Sequence, residues 1–170
     1  LDIDEDGKAD LITVSEWGAP LVYKNSGRRL SLKETSLSDK TGWWNTIAAV
    51  DIDNDGDMDL VLGNEGENLH YLPSEQRPMS MYINDFDNNG TIEQITTMHK
   101  NGKDYPLHQK KEITAQMSSL KKQNLKASDY ANRYIDEIFT EESLQNAIKK
   151  SVKYAQSMIA VNDGKGNFSL

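Results

Sequence analysis

The stretch Thr46-Ile47-Ala48-Ala49-Val50-Asp51-Ile52-Asp53-Asn54-Asp55-Gly56-Asp57-Met58-Asp59-Leu60-Val61-Leu62 decides how this chain is read. Two short apolar runs flank nine residues in which aspartate stands at positions 1, 3, 5 and 9 and glycine at position 6. Calcium is a hard cation that takes six to eight oxygens at roughly 2.3–2.6 Å. Side chains at positions 1, 3, 5 and 9, with the carbonyl of position 7, supply them once the segment closes into a loop. Glycine at position 6 admits the positive φ that turns the chain around the ion. An EF-hand would need a bidentate glutamate at position 12 and helices on both sides. Position 12 here is Leu62 and the flanks are strand-like, so that reading fails twice.

The same spacing occurs twice more. Eleven carboxylates occupy ligand positions of three loops: Asp2, Asp4, Asp6 and Asp10; Asp51, Asp53, Asp55 and Asp59; Asp85, Asp87 and Glu93. Gly7, Gly56 and Gly90 hold position 6, while position 12 is Thr13, Leu62 or Thr96. In the third loop Asn89 replaces the acid at position 5, which removes one negative charge and predicts weaker binding. A solvated acidic turn is the plain alternative for one such loop, and three matches at corresponding places tell against it. The expectation is three Ca²⁺ sites, since a flexible all-oxygen cage favours calcium over magnesium. Without an ion the clustered carboxylates repel, so binding would contribute folding free energy.

The composition agrees. The 170 residues are 36% hydrophobic and 27% charged, as in a folded globular protein. A net charge of -8 argues against a nucleic-acid partner, which would require a basic face. Three divalent ions would offset six of those eight charges. There is no cysteine, hence no disulfide framework and no Cys-ligated zinc. No apolar run approaches the ~18 residues of a membrane span. Leu1 opens directly on a metal loop with no strand before it, which leads us to expect an earlier natural start that would carry any export signal.

Short apolar runs punctuated by Gly, Asn and Asp predict strands over 10–15, 21–24, 30–33, 46–51, 59–62, 69–72, 79–84, 92–99 and 103–107. From Pro106 to Lys150 the pattern turns helical. The first predicted helix spans 110–122, with Ile113, Met117 and Leu120 on one face. A second follows Ser128, with Tyr130, Tyr134, Ile135 and Ile138; a third is capped by Thr140, with Leu144, Ala147 and Ile148. Strand signals return over 157–162, and a turn at 162–167 leads into Phe168-Ser169-Leu170. The first two loops start 49 residues apart and the third 34 later. A second marker, apolar-apolar-x-Asn-x-Gly, places its asparagine at Asn25 and again at Asn162. Asp2 to Asn25 is 23 residues and Asp85 to Asn162 is 77, an excess of 54 that approximates the helical stretch. This counting predicts β-repeats with calcium loops over 1–105, a helical insertion over 106–150, and returning strands over 151–170 that close the third repeat.

The run from Thr46 to Asn64, the segment Val161-Asn162-Asp163-Gly164-Lys165-Gly166-Asn167-Phe168 and the loop Ile83-Asn84-Asp85-Phe86-Asp87-Asn88-Asn89-Gly90 resemble the FG-GAP/VCBS repeats of integrin-α-like β-propellers, above all secreted bacterial ones. The resemblance implies a mainly β fold, a partial propeller of about three blades with a helical insertion. Each metal loop would join the first two strands of a four-stranded blade. It further implies as ligands the eleven acids, Asn89, and the carbonyls of Lys8, Asp57 and Thr91. A closed propeller needs more blades than three, so a fragment or open arc is expected. Extracytoplasmic placement follows from the resemblance and from calcium abundance.

Trp43-Trp44 precedes a strand and could stack on sugars, although aromatics in repeats more often pack between blades. His70, His99 and His108 read as surface or rim residues, and Lys110-Lys111, Lys121-Lys122 and Lys149-Lys150 as solvated helix edges. No nucleophile–base order or phosphate-cradling glycine loop is visible, so no enzymatic activity is expected. The function expected is a calcium-stabilised extracellular binding or scaffold module for a protein or glycan, with self-association through open sheet edges as a further route. An accessory part of a larger secreted polysaccharide-active enzyme is the alternative, and a cytosolic calcium sensor a weaker third.

Overall fold

Alternating apolar residues and frequent turn formers give a chain built mainly of short strands. In a computed structural model that describes residues 1–123 and 126–170, thirteen strands and five short helices follow in order. The strands are β1 (Leu11–Thr13), β2 (Glu16–Gly18), β3 (Leu21–Asn25), β4 (Leu30–Lys33), β5 (Gly42–Trp43), β6 (Thr46–Val50), β7 (Asp59–Gly63), β8 (Met79–Asn84), β9 (Glu93–Lys100), β10 (Lys103–Pro106), β11 (Ile148–Val152), β12 (Met158–Asn162) and β13 (Phe168–Ser169). The helices are α1 (Lys110–Gln116), α2 (Leu120–Gln123), α3 (Ala127–Tyr130), α4 (Ile135–Ile138) and α5 (Glu141–Gln145). The helical segment expected over 106–150 includes Asn124 and Leu125, which lie outside the described residues. Among the described residues no helix is long and apolar enough to cross a membrane.

The chain forms two compact units, residues 1–72 with 152–170, and residues 73–151. In the first unit the strand orders are β1-β3-β4, β13-β12-β7-β6 and the ribbon β2-β5. Their apolar residues meet in one core of Ile3, Val22, Leu37, Trp44, Leu60, Leu62, Ala160 and Phe168. In the second unit the order is β10-β9-β8-β11. Tyr82 and Ile95 of that sheet pack with Ile113, Met117, Leu120, Tyr130, Ile135 and Ile138, which helical periodicity had marked, and with Phe139, which it had not; Tyr134 of the expected stripe is not in this core. Among the described residues no sheet closes on itself.

Each strand of the second unit's sheet also gives one residue to a polar hub. Asp104 of β10 accepts from Tyr82 Oη of β8 at 2.6 Å and Lys149 Nζ of β11 at 3.0 Å, and lies 2.7 Å from His99 Nδ1 of β9. Burial would raise the Asp104 carboxyl, but the bonds from Tyr82, His99 and Lys149 outweigh it and hold it below the usual value.

The returning strands differ from the expectation. β12 pairs antiparallel with β7, the exit strand of the second loop, through Met158↔Leu62, Ile159↔Val61 and Ala160↔Leu60. Residues 151–170 therefore complete the second repeat, not the third. In sequence, the whole third loop lies inside a 73–151 segment placed between β7 and β12. The physical reason is that the Asn162 amide is drawn to a carboxylate of the second loop, which counting residues could not reveal. Other differences are local. No strand forms over 69–72, the first expected helix breaks into α1 and α2, and 148–150, expected to end the helical stretch, already belong to strand β11.

Candidate metal centres

Each acidic segment folds by one repeated hydrogen-bond scheme. The position-1 carboxylate accepts from the position-6 amide: Asp2 from Gly7 at 2.8 Å, Asp51 from Gly56 at 3.2 Å and Asp85 from Gly90 at 2.8 Å. The position-5 side chain accepts from the position-7 amide: Asp6 from Lys8, Asp55 from Asp57, and Asn89 from Thr91. The position-9 carboxylate reaches back to the position-2 amide: Asp10 to Ile3 at 3.1 Å, Asp59 to Ile52 at 2.8 Å and Glu93 to Phe86 at 2.9 Å. Glycine at position 6 has φ of +82°, +102° and +86° in the three loops. Position 4 is also left-handed, at Glu5, Asn54 and Asn88, a feature the spacing rule had not marked.

Strands set the mouths of these loops. Val50 pairs with Asp59 and Asn84 with Glu93, so the second and third loops are hairpin turns. Leu1 plays the same part in the first, its carbonyl accepting from Asp10 N at 2.6 Å. Two of the loops have an added latch from the Asn-x-Gly marker. Asn25 N donates to Asp10 Oδ1 and its Nδ2 to the Ala9 carbonyl; Asn162 N donates to Asp59 Oδ1 and its Nδ2 to the Met58 and Ile3 carbonyls. Ala9 and Met58 are both position 8, so Asn25 and Asn162 serve the first and second loops equivalently.

The loops gather three groups of carboxylates whose oxygens lie within 4.8 Å of one another: Asp2, Asp4 and Asp6; Asp51, Asp53 and Asp59; Asp85, Asp87 and Glu93. Of the eleven expected acids, Asp10 and Asp55 are not members of these groups. Asp10 has both oxygens engaged by backbone amides, as does its counterpart Asp59, which nonetheless lies within its group. Lys8, Asp57 and Thr91, expected to contribute carbonyls, donate their own amides to position 5.

Within these groups Asp4 Oδ1, Asp51 Oδ1, Asp87 Oδ1 and Glu93 Oε1 are buried without a partner, as is Asp57 Oδ1 at position 7 of the second loop. A buried unpaired carboxylate oxygen costs of order several kcal/mol. Among the described residues the only other such side-chain atom is Thr41 Oγ1. Carboxylate oxygens withdrawn from solvent in groups whose members lie within 4.8 Å of one another fit a bound cation, and hard oxygen donors fit calcium. The electrostatics of the second loop agree. Burial, then Asp55 and Asp59, raise the Asp53 carboxyl; burial, then Asp55, Asp59, Asp53 and Glu5, raise that of Asp57. The first loop is different because lysines enter it: Lys24 Nζ bonds to Asp4 and sits 3.6 Å from Asp6, and Lys8 Nζ is 3.0 Å from Asp6. The hydrogen bond from Lys8 leads in holding Asp6 below its usual value, and that to Asp4 in raising Lys24. No ion pair involves the second loop's carboxylates among the described residues.

The histidines are not at these centres. His99 pairs with Asp104 in the polar hub, and His108 Nε2 accepts from Thr96 N. Trp44 is 1% exposed in the first unit's core, as expected for a repeat aromatic, whereas Trp43 stays half-buried beside Trp17.

A family model of the FG-GAP-like repeat matches residues 2–62, the stretch that holds the first two loops and ends within β7. No curated protein and no solved structure matches the chain.

Proposed function

Residues 2–62 are an FG-GAP-like repeat, and from that premise we propose that the chain is a calcium-stabilised, propeller-type binding module without catalytic activity of its own, working outside the cytoplasm on a protein or glycan partner. The observation that carries the metal reading is the set of buried, unpartnered carboxylate oxygens at the foci of three loops with one hydrogen-bond scheme. Asp2, Asp4 and Asp6, then Asp51, Asp53 and Asp59, then Asp85, Asp87 and Glu93 would hold one ion each. Asp10, Asp55 and Asn89, and the carbonyls of Lys8, Asp57 and Thr91, complete the oxygen shells. Bound calcium neutralises the clustered charge and fixes the hairpin tips, so the role of the metal is structural. A short, loop-rich chain gains from such a staple, because ion binding to the folded state alone adds directly to stability. Open outer strands such as β4 and β6 offer a route to self-association.

Calorimetric titration with Ca²⁺, read beside thermal unfolding, tests this. We expect near three equivalents bound and a rise in Tm, with Asp53→Ala/Asp55→Ala removing one equivalent. Absence of binding at millimolar calcium would overturn the reading.

A further inference from the structure

The ribbon β2-β5 carries a feature that the metal reading leaves unused. Its register slips between Glu16 and Gly18, and the bulged residue is Trp17, at φ +58°. Bulges commonly place glycine in that conformation, and a bulky side chain held there is strained. The bulge sets the Trp17 ring at right angles to Trp43, with centroids 5.6 Å apart. Together with Glu16, Glu65 and Leu69 the two rings line a cleft of about 250 Å³. The walls are fixed from behind. Buried Asn64 uses one oxygen to accept from both Trp43 N and Glu65 N, and its Nδ2 donates to the Tyr154 carbonyl. Gly42 leaves the room for this, since a Cβ there would lie 2.6 Å from Asn64 Nδ2.

The chemistry of the lining points to one ligand class. Among the described residues neither Glu16 nor Glu65 has an ion-pair partner, and the cation–π pairs of the chain sit on tyrosines, leaving both indoles without a cation. Two carboxylates and two electron-rich rings attract an organic cation, and Leu69 suits the alkyl shaft behind it. A sugar needs donors and acceptors around one open ring face; here the side-chain acceptors are all anionic and the rings are perpendicular. We propose that this cleft captures a lysine or arginine side chain presented by a partner protein. The proposal rests on the reading of the chain as a binding module, and not on its metal sites.

The test uses the full chain in calcium and follows the indole N–H signals of Trp17, Trp43 and Trp44 by NMR. The probes are acetyl-Ala-Arg-Ala-amide and acetyl-Ala-Lys-Ala-amide, with acetyl-Ala-Gln-Ala-amide and a cello-oligosaccharide as controls. The expected result is a saturable shift of Trp17 and Trp43 but not Trp44 with a cationic peptide. Affinity should fall about tenfold in Glu16→Gln/Glu65→Gln and weaken with salt. Those surface changes keep the fold, and an unaltered calcium titration of the variant separates loss of the cleft from failure of the metal reading. No shift with either cationic peptide, an equal shift with the neutral peptide, or binding of the oligosaccharide instead would overturn the proposal.

Discussion

Position 4 of each acidic loop turns left-handed, and the three residues found there are unequal to the task. Asn54 and Asn88 tolerate that backbone, because asparagine visits it readily; Glu5, at φ +55°, does not. Its carboxylate also adds to the charge around Asp57. We expect Glu5→Asn to raise stability by about 0.5–1 kcal/mol in thermal unfolding, the fraction of a left-handed strain that asparagine relieves. A second prediction concerns Asp104. Its carboxyl lies below the ordinary value in the folded state, so the stability it contributes is fully present above the unfolded pKa of 3.8 and is lost as pH falls through the folded value. Asp104→Asn should cost about 1–3 kcal/mol near neutrality and flatten the acid limb of a Tm-against-pH curve. The turns of the three acidic loops were legible in the sequence because five fixed spacings inside nine residues define them. The two tryptophans were only half legible. Neighbours in a strand point to opposite sides, so one of Trp43 and Trp44 had to leave the core. What it would meet depended on Trp17, 26 residues away in sequence.

At the scale of elements, a hairpin loop is held as much by the strand beside it as by its own acids. Asn162 shows this, with its amide on Asp59, its Nδ2 on the Ile3 and Met58 carbonyls, and its Oδ1 taking the Asp163 and Gly166 amides. Asn162→Ala should therefore destabilise the chain by roughly 2–3 kcal/mol, since several buried groups lose partners at once. It should also weaken calcium at the second loop, as read by calorimetry. The marker that contains Asn162 was visible in the sequence, yet its assignment to a repeat was not, because register is chosen by the carboxylate that receives its amide. Helix ends were legible where a side chain closes them: Thr140 Oγ1 accepts from Ser143 N as its position foretold, whereas Ser128 lies inside α3. Residues 148–150 read as helix but form, with Ser151 and Val152, a strand on the open edge of β8, and pairing overrides so short a propensity.

For the whole molecule, the 73–151 segment has its own sheet, core and acidic loop, and within the first unit Asn64 ties β7 to the returning chain, its amide reaching Ser157 Oγ and its Nδ2 the Tyr154 carbonyl. Replacing 73–151 by a short Gly/Ser linker should leave a cooperatively unfolding protein that binds two calcium ions instead of three, measured by calorimetry; an unfolded product would sink this division. The nested order also governs how the protein is made. β7 is finished on one side by β6, but the strand that covers its other side is synthesised some ninety residues later. At roughly 5–20 residues per second the ribosome leaves that edge bare for on the order of ten seconds. Throughout that interval the nascent first unit presents an unpaired strand, and the inserted unit can reach its own folded state before its host does.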